Sequence, residues 1–105
     1  MVKRFDVWMV PLDPTMGSEL RKTRPCAIIS PDETNRHLNT VVVVPLTTAE
    51  HSYAFRLDVI FLGRKAQCAI DQVRVIDKNR LLTRLSSLDE GAGQQLLQLV
   101  RAYFT

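Results

Sequence analysis

The sequence predicts a mostly β protein, a small and partly open antiparallel barrel that ends in one α-helix. Short apolar segments separated by turn residues run along most of the chain, as in small all-β folds. The C-terminal segment instead repeats its apolar residues at helical spacing. A chain of 105 residues has room for one modest core, and no linker or low-complexity stretch divides it. We therefore expect a single domain over residues 1–105.

The strand predictions rest on apolar or alternating segments bounded by turn-forming residues. They cover residues 5–10, 26–29, 41–46, 53–59, 67–70, 73–76 and 81–85. The four consecutive valines at 41–44 are typical of a strand buried on both faces, so we expect this strand at the centre. Pro45 has no N–H to donate, so it must lie at a bulge or an edge. Gly63, Arg64 and Lys65 are predicted to turn the chain.

Helix signals occur at two places. Ser87, followed three residues later by Glu90, forms a capping-box pattern at the start of the C-terminal helix. The apolar stripe of that helix consists of Leu88, Ala92, Leu96, Leu99, Val100 and Tyr103. A shorter helical turn is expected after Pro31, with Asp32 as its cap and Asn35 facing solvent.

Composition carries only weak functional information. The formal net charge of +3 favours anionic partners such as nucleic acid, although many soluble proteins carry this charge without one. Cys26 and Cys68 lack the spacing of a metal site, so we expect both to be reduced and buried. His37 and His51 fall in polar sequence and are expected on the surface. We expect no metal or cofactor. The absence of a signal peptide or membrane-spanning run predicts a cytoplasmic protein without membrane contact.

Residues 12–25, LDPTMGSELRKTRP, concentrate charge between two predicted strands. An Asp-Pro pair and Gly17 predict a chain reversal, which places the following charges on an exposed loop. Such charges are most often simply solvated. Arg24, however, precedes Pro25 and therefore has extended backbone, and Glu19 is close enough in sequence to orient its guanidinium. A fixed guanidinium beside a carboxylate is suited to handling a phosphate.

Three sequence blocks follow one another along the chain. They are VWMVPLDPTMGSELRKTRPCAIISP at 7–31, VVVVPLTT at 41–48 and AIDQVRVID at 69–77. In this order and spacing they resemble the MazF/PemK/Kid toxin family, and with the C-terminal helix the resemblance covers nearly the whole chain. It implies an SH3-like barrel of the MazF/CcdB/Kid type, usually a homodimer.

The resemblance also implies a function, the toxin of a type II toxin–antitoxin system. Such a toxin is a metal-independent endoribonuclease, an mRNA interferase that cuts single-stranded RNA at short sequences. The 2′-hydroxyl attacks the adjacent phosphorus and leaves a 2′,3′-cyclic phosphate and a 5′-hydroxyl. A cognate antitoxin holds the activity off by folding a disordered, acidic segment onto the basic groove. The expected partners are single-stranded RNA, the antitoxin and a second copy of the chain.

Three residues match catalytic positions of the family. Arg24 would bind the scissile phosphate, and Thr47 would donate its hydroxyl to a phosphoryl oxygen. Glu19 would orient Arg24 or assist proton transfer. Because arginine does not normally lose its proton, charge stabilisation with a relay through substrate or water is favoured over a general-base role. Without the resemblance, Thr47 would be interpreted as a strand-end threonine that bonds to backbone.

Further residues are expected to contact RNA, although each is also consistent with a solvated surface. They are Arg21, Lys22, Thr48, Arg64, Lys65 and Arg74. Asp71 and Gln72 match the DQ pair of the family, whose Asp the Kid branch counts as catalytic, and are also expected to contact RNA. A structural role, with Asp71 bonding backbone amides in the turn, is equally consistent. The Kid branch has a His before the Glu and an Arg two residues before the DQ Asp. This chain has Ser18 and Ala69 there, so it follows the MazF version.

Two other functions stay open. A CcdB-like poison would share the fold but trap DNA gyrase by protein–protein binding, through C-terminal residues such as Tyr103 and Phe104. It would cleave nothing. A non-catalytic RNA-binding domain with a degenerate site is the other alternative, and the joint presence of Glu19, Arg24 and Thr47 argues against it.

Overall fold

The computed structural model describes residues 1–12, 22–48 and 53–105, which form an antiparallel sheet and two α-helices. The strands are β1 (Asp6–Pro11), β2 (Thr23–Ile28), β3 (Thr40–Thr47), β4 (Arg56–Phe61), β5 (Arg64–Ala69), β6 (Arg74–Asp77) and β7 (Thr83–Ser87). The helices are α1 (Asp32–His37) and α2 (Glu90–Tyr103), and short 3₁₀ turns occupy Ile70–Gln72 and Lys78–Arg80. The predicted class, mostly β with a C-terminal helix, is confirmed.

β3 lies at the centre of the sheet, as its valines predict. The strand order is β4-β5-β3-β2-β1-β7, and β6 also pairs with β3. The pairing of β3 with β6 ends at Val43, and its pairing with β5 begins at Leu46. Pro45 lies between these two partners, where its missing N–H costs no ladder bond. The proline therefore marks a change of partner at the sheet centre and not an outer edge.

Apolar side chains pack on both faces of the sheet, which explains the unbroken run of valines in β3. Val44 belongs to one cluster, which includes residues of α2, and Val42 packs against it. Val41 and Val43 belong to a second cluster on the opposite face. Cys26 lies in the second cluster and Cys68 in the first, and both are free and buried, as predicted.

The C-terminal helix α2 begins one residue after Asp89, whose carboxylate accepts a hydrogen bond of 2.8 Å from the Ala92 N–H. The capping box predicted at Ser87 is wrong, because Ser87 ends β7 and pairs with Asp6 of β1. Gly93 then packs on the ring of Phe5, where an added Cβ would come within 2.5 Å of ring carbons. No helix among the described residues is long and apolar enough to cross a bilayer.

The short helix α1 is attached to the sheet by a buried polar side chain. Asn35 is buried, contrary to the prediction, and its Nδ2 donates to the Ser30 carbonyl at 3.0 Å. The Ser30 hydroxyl donates to Asn35 Oδ1 and accepts from the Val42 N–H of β3. Asp32 does not cap this helix, because its carboxylate accepts instead from the Arg4 N–H at 2.7 Å.

The β4–β5 hairpin turns at Leu62 and Gly63, which have φ values of 50° and 78°. Two successive left-handed residues are the requirement of a tight type I′ hairpin turn. The prediction that Arg64 and Lys65 belong to the turn is therefore wrong, because they are the first two residues of β5. Their side chains are exposed on the hairpin.

Candidate active site

Predicted site residues gather where four neighbouring strands meet at one end of the sheet. Because the strands are antiparallel, β1 and β3 end there, while β2 and β5 begin there. The residues at this end are Lys22, Arg24, Thr47, Thr48, Arg64 and Lys65. The hydrogen bond from the Leu12 N–H to the Lys22 carbonyl, 2.9 Å long, closes the β1–β2 connection. We call this set of residues the basic end of the sheet.

Three residues named in the sequence analysis lie outside the described part of the chain. Glu19 and Arg21 fall within residues 13–21, and His51 falls within residues 49–52. The roles expected of Glu19 and Arg21 therefore continue to rest on the sequence. His37 lies in the last turn of α1 and is exposed.

Arg24 and Thr47 occupy matching positions on adjacent strands. The β2–β3 register pairs Cys26 with Pro45, and Arg24 and Thr47 each lie two residues beyond that pair. Continuing the register places them across from one another, and their two-residue spacing puts them on the face of Cys26. Thr47 is only 4% exposed and Arg24 is half-buried. The backbone thus places Arg24 and Thr47 at corresponding positions of two neighbouring strands.

The charges of two arginines converge on this region. Burial raises the pKa of the Cys26 thiol to about 12, and the positive charges of Arg74 and Arg24 act in the opposite direction. Cys26 is therefore protonated at neutral pH and is no nucleophile. The same effect indicates that both guanidiniums lie close to Cys26, which makes this face of the sheet attractive to an anion.

Arg74 and Arg80 also hold the backbone from which the segment 13–21 departs. Arg74 Nη1 donates to the Leu12 carbonyl at 3.2 Å, and Arg80 Nη2 donates to the carbonyl of Pro11. Arg74, expected as an RNA contact, thus has a structural contact as well. Arg80 was not singled out from the sequence, where nothing distinguishes it from an ordinary surface arginine.

Asp71 is held by an arginine of β4. Arg56 donates from Nε to Oδ1 at 2.7 Å and from Nη2 to Oδ2 at 3.1 Å, a bidentate pair. This bonding lowers the pKa of Asp71, and the side chain of Gln72 donates to the same carboxylate at 3.3 Å. The pairing favours the structural interpretation of Asp71.

A partly buried polar pair next to Thr47 was not predicted from the sequence. Gln67 of β5 lies directly opposite Thr47, is 7% exposed, and donates from Nε2 to Asp58 Oδ1 at 2.8 Å. Asp58 in turn lies directly opposite Gln67 on β4. The available signal was a glutamine within an otherwise apolar strand segment, AQCAI, which is unusual for a position that faces the protein interior.

The described residues offer chemistry based on cations and hydroxyls. Within residues 1–12, 22–48 and 53–105, no three His, Cys, Asp or Glu side chains are grouped to bind a metal ion. The guanidinium of Arg24 and the hydroxyl of Thr47 are instead suited to bind and stabilise an anionic phosphate. Fold and site together define a small β half-barrel with a C-terminal helix and a cluster of cations and hydroxyls at one end of its sheet.

Comparison with known families agrees with this class. Residues 3–104 match the PemK-like, MazF-like toxins of type II toxin–antitoxin systems, and the chain belongs to this family. Endoribonuclease PemK of Escherichia coli is 34% identical over 102 residues, covering 91% of this chain and 77% of its own. Endoribonuclease EndoA of Bacillus subtilis is 33% identical over 96 residues, covering 86% and 83%.

Solved structures show the same fold at lower sequence identity. MazF from Deinococcus radiodurans superposes with a TM-score of 0.87 at 18% identity, covering 98% of this chain and 96% of that one. The toxin MazF-mt6 of Mycobacterium tuberculosis gives 0.79 at 22% identity, covering 94% and 95%. A mycobacterial endoribonuclease in complex with its cognate antitoxin gives 0.84 at 18% identity, covering 99% and 95%.

Proposed function

We propose that this toxin is a sequence-specific endoribonuclease of the mRNA interferase type, formed by one domain over residues 1–105, that cleaves single-stranded RNA. The observation that carries the proposal is the placement of Arg24 and Thr47 at matching positions of adjacent strands, at the basic end of the sheet. The endoribonuclease activity named for the relatives PemK and EndoA supports it.

The proposed reaction is an internal transesterification. The ribose 2′-oxygen forms a bond to the adjacent phosphorus, and the bond from phosphorus to the 5′-oxygen breaks. The hydroxyl proton passes through water or a phosphoryl oxygen to the leaving 5′-oxygen, so that no other reactant is consumed. The products carry a 2′,3′-cyclic phosphate and a 5′-hydroxyl, and the step requires neither metal nor cofactor.

Arg24 and Thr47 have complementary roles in this step. The phosphorane gains negative charge as the 2′-oxygen attacks, and the guanidinium of Arg24 offers several N–H groups to it. Thr47 donates its hydroxyl to a phosphoryl oxygen from a position fixed by burial. Glu19 orients Arg24 or assists the proton transfer. Loss of either described residue then lowers the rate of cleavage more than the affinity for RNA.

The RNA strand follows the exposed cations and hydroxyl beside this pair. They are Lys22, Thr48, Arg64 and Lys65, with Arg21 from the adjoining segment and Arg74 from the neighbouring strand. Asp71 shapes the site and does not contact phosphate, because its carboxylate repels an anion and is held by Arg56. The neutral amide of Gln72 contributes an RNA contact beside it. Single-stranded RNA adds specificity through stacking and base-edge contacts.

Protein partners follow from the same charges. We propose that a cognate antitoxin covers the basic end with an acidic segment and so blocks RNA. A mycobacterial structural neighbour is an endoribonuclease bound to its cognate antitoxin, which supports this partner. We further propose a homodimer acting in the cytoplasm, in which two copies extend a shallow site. The gyrase-poison alternative is not favoured, since the family and the relatives are those of PemK and MazF.

The proposal is tested by digestion of a long, mostly unstructured RNA in the presence of EDTA. The expected result is discrete cuts at one short sequence, with 5′-hydroxyl and 2′,3′-cyclic phosphate ends. Cleavage only after Mg²⁺ is added back would overturn the metal-independent reaction. Binding of RNA without cleavage would indicate the degenerate RNA-binding domain, and failure of both would direct attention to gyrase.

A further inference from the structure

A row of polar side chains crosses four strands at the candidate active site. Asp58 of β4 pairs with Gln67 of β5, and Gln67 pairs with Thr47 of β3. Continuing the β2–β3 register adds Arg24 of β2. Residues directly opposite in antiparallel strands point to the same face, so the row lies on one face of the sheet. Two of its members, Asp58 and Gln67, have no part in the proposed reaction.

The chemistry of Asp58 fixes the orientation of the Gln67 amide. A carboxylate can only accept hydrogen bonds, so the amide nitrogen of Gln67 must face Asp58, as the 2.8 Å bond shows. Nε2 carries a second N–H, and this is the group that the amide can offer to the Thr47 oxygen. The amide oxygen could only accept the single Thr47 proton, which the phosphoryl oxygen needs. An amide held from one side in this way presents a defined hydrogen-bonding group to its other neighbour.

Gln67 is a polar residue at a buried position of β5. Its side chain is 7% exposed and lies within a strand whose neighbours Ala66 and Cys68 belong to the first apolar cluster. Placing an amide at a buried position is costly unless it is hydrogen-bonded, and an apolar residue would pack there without that cost. Gln67 is thus a hydrogen-bonded polar residue that lies between its cross-strand neighbours Asp58 and Thr47.

We propose that Gln67, oriented by Asp58, is a positioning residue that holds the Thr47 hydroxyl in its productive direction. The inference rests on the proposed cleavage function and adds a residue that acts on the same site through Thr47. Thr47 has one rotatable hydroxyl, and its donation to a phosphoryl oxygen depends on the direction in which that hydroxyl is held. A small error in the orientation of a reacting group lowers the reaction rate substantially.

The test compares Gln67→Met, which keeps the length of the side chain but cannot hydrogen-bond, with wild type and with Thr47→Val. We expect Gln67→Met to lower kcat about 10-fold with KM unchanged, because an interaction made only in the transition state is weakened. Added to Thr47→Val, the same change is expected to have no further effect, since its target hydroxyl is gone. Gln98→Met, at an exposed position of α2, is the matched control.

Asp58 provides a second variant that does not disturb the interior, because its side chain is exposed. Asp58→Ala removes the acceptor and is expected to reproduce the loss of kcat, whereas Asp58→Asn keeps an acceptor oxygen and retains most of the activity. Thermal unfolding of each variant separates a folding defect from a loss of rate. If wild type cleaves RNA but kcat is unchanged in Gln67→Met and Asp58→Ala, the inference is overturned. It is also overturned if the loss of kcat in these variants adds to the loss caused by Thr47→Val. Absence of wild-type cleavage overturns the proposed function instead.

Discussion

Arg24 and Thr47 stand two residues beyond the same cross-strand pair, Cys26 and Pro45, one on each strand. This relationship depends on register, because a shift of β2 by one residue would turn Arg24 to the opposite face. The register is held by apolar side chains of β2 and β3 on both faces of the sheet. Packing in the two clusters is thus the physical cause of the geometry at the candidate active site.

Exposed cations at the basic end are expected to set the salt dependence of RNA binding. Removing one phosphate contact lowers the slope of log K against log salt by about 0.7 for a single strand. We expect Lys65→Ala to do this and to weaken binding equally for different RNA sequences. Lys3→Ala, at the opposite end of β1, should leave the slope unchanged. Fluorescence anisotropy over a series of salt concentrations measures the slope for wild type and both variants. Equal slopes for all three proteins would show that Lys65 does not contact an RNA phosphate.

Gly93 is required by the close packing of α2 on Phe5. A Cβ there would lie 2.5 Å from two ring carbons, so Gly93→Ala is expected to destabilise the fold by about 1–3 kcal/mol despite the better helix propensity of alanine. At the exposed Gly91, the nearest atom to an added Cβ is Asp89 Oδ1 at 3.3 Å. That contact requires only a shift of the exposed Asp89 side chain, so Gly91→Ala is expected to cost less stability than Gly93→Ala. Urea denaturation checks the pair, and equal stabilities would contradict the described packing.

The Arg56–Asp71 ion pair predicts a pH dependence of stability. Hydrogen bonding to Arg56 lowers the pKa of Asp71 below its ordinary value. The pair therefore contributes above the unfolded-state pKa of about 4, and this contribution is lost as the pH falls through the lower folded-state pKa. The free energy of unfolding of wild type should fall more between pH 7 and pH 3 than that of Asp71→Asn. Glu33→Gln serves as control, and parallel losses in wild type and Asp71→Asn would argue against the pair.

Both cysteines are expected to resist modification in the folded protein. Burial raises the pKa of the Cys26 and Cys68 thiols to about 12, so neither forms a thiolate at pH 8. Iodoacetamide should label neither residue in native buffer and both in concentrated urea, as read by mass spectrometry. Rapid labelling of Cys26 without denaturant would show that the second cluster is open to solvent.

The class of fold could be predicted from the sequence because the periodicity of the apolar residues is strong. The valine run of β3 and the stripe of α2 both reflect the faces that they bury. Local sequence signals for the ends of helices were less reliable. Ser87 and Asp89 are both good caps, and the pairing of Ser87 with Asp6 in the sheet decided between them. Asn35 is buried because Ser30, five residues earlier, supplies its partners, and no local pattern encodes that bond.

The candidate site was predictable in part for a similar reason. Arg24 and Thr47 stand out by their sequence context, and their relation across two strands follows once the register is known. Gln67 and Asp58 lie in different strands, and only the pairing of β4 with β5 makes them neighbours. The ion pair of Asp71 likewise depends on an arginine from another strand, Arg56.

The most direct test of the central claim is the rate of RNA cleavage by Arg24→Ala in EDTA, beside wild type and Arg101→Ala. Arg101 is an exposed arginine near the end of α2 and matches the loss of charge. We expect Arg24→Ala to lose at least about 100-fold in rate while its thermal unfolding and its binding of uncleavable 2′-deoxy substrate change little. Arg101→Ala should cleave like wild type. Cleavage by Arg24→Ala at the wild-type rate would contradict the proposed mechanism.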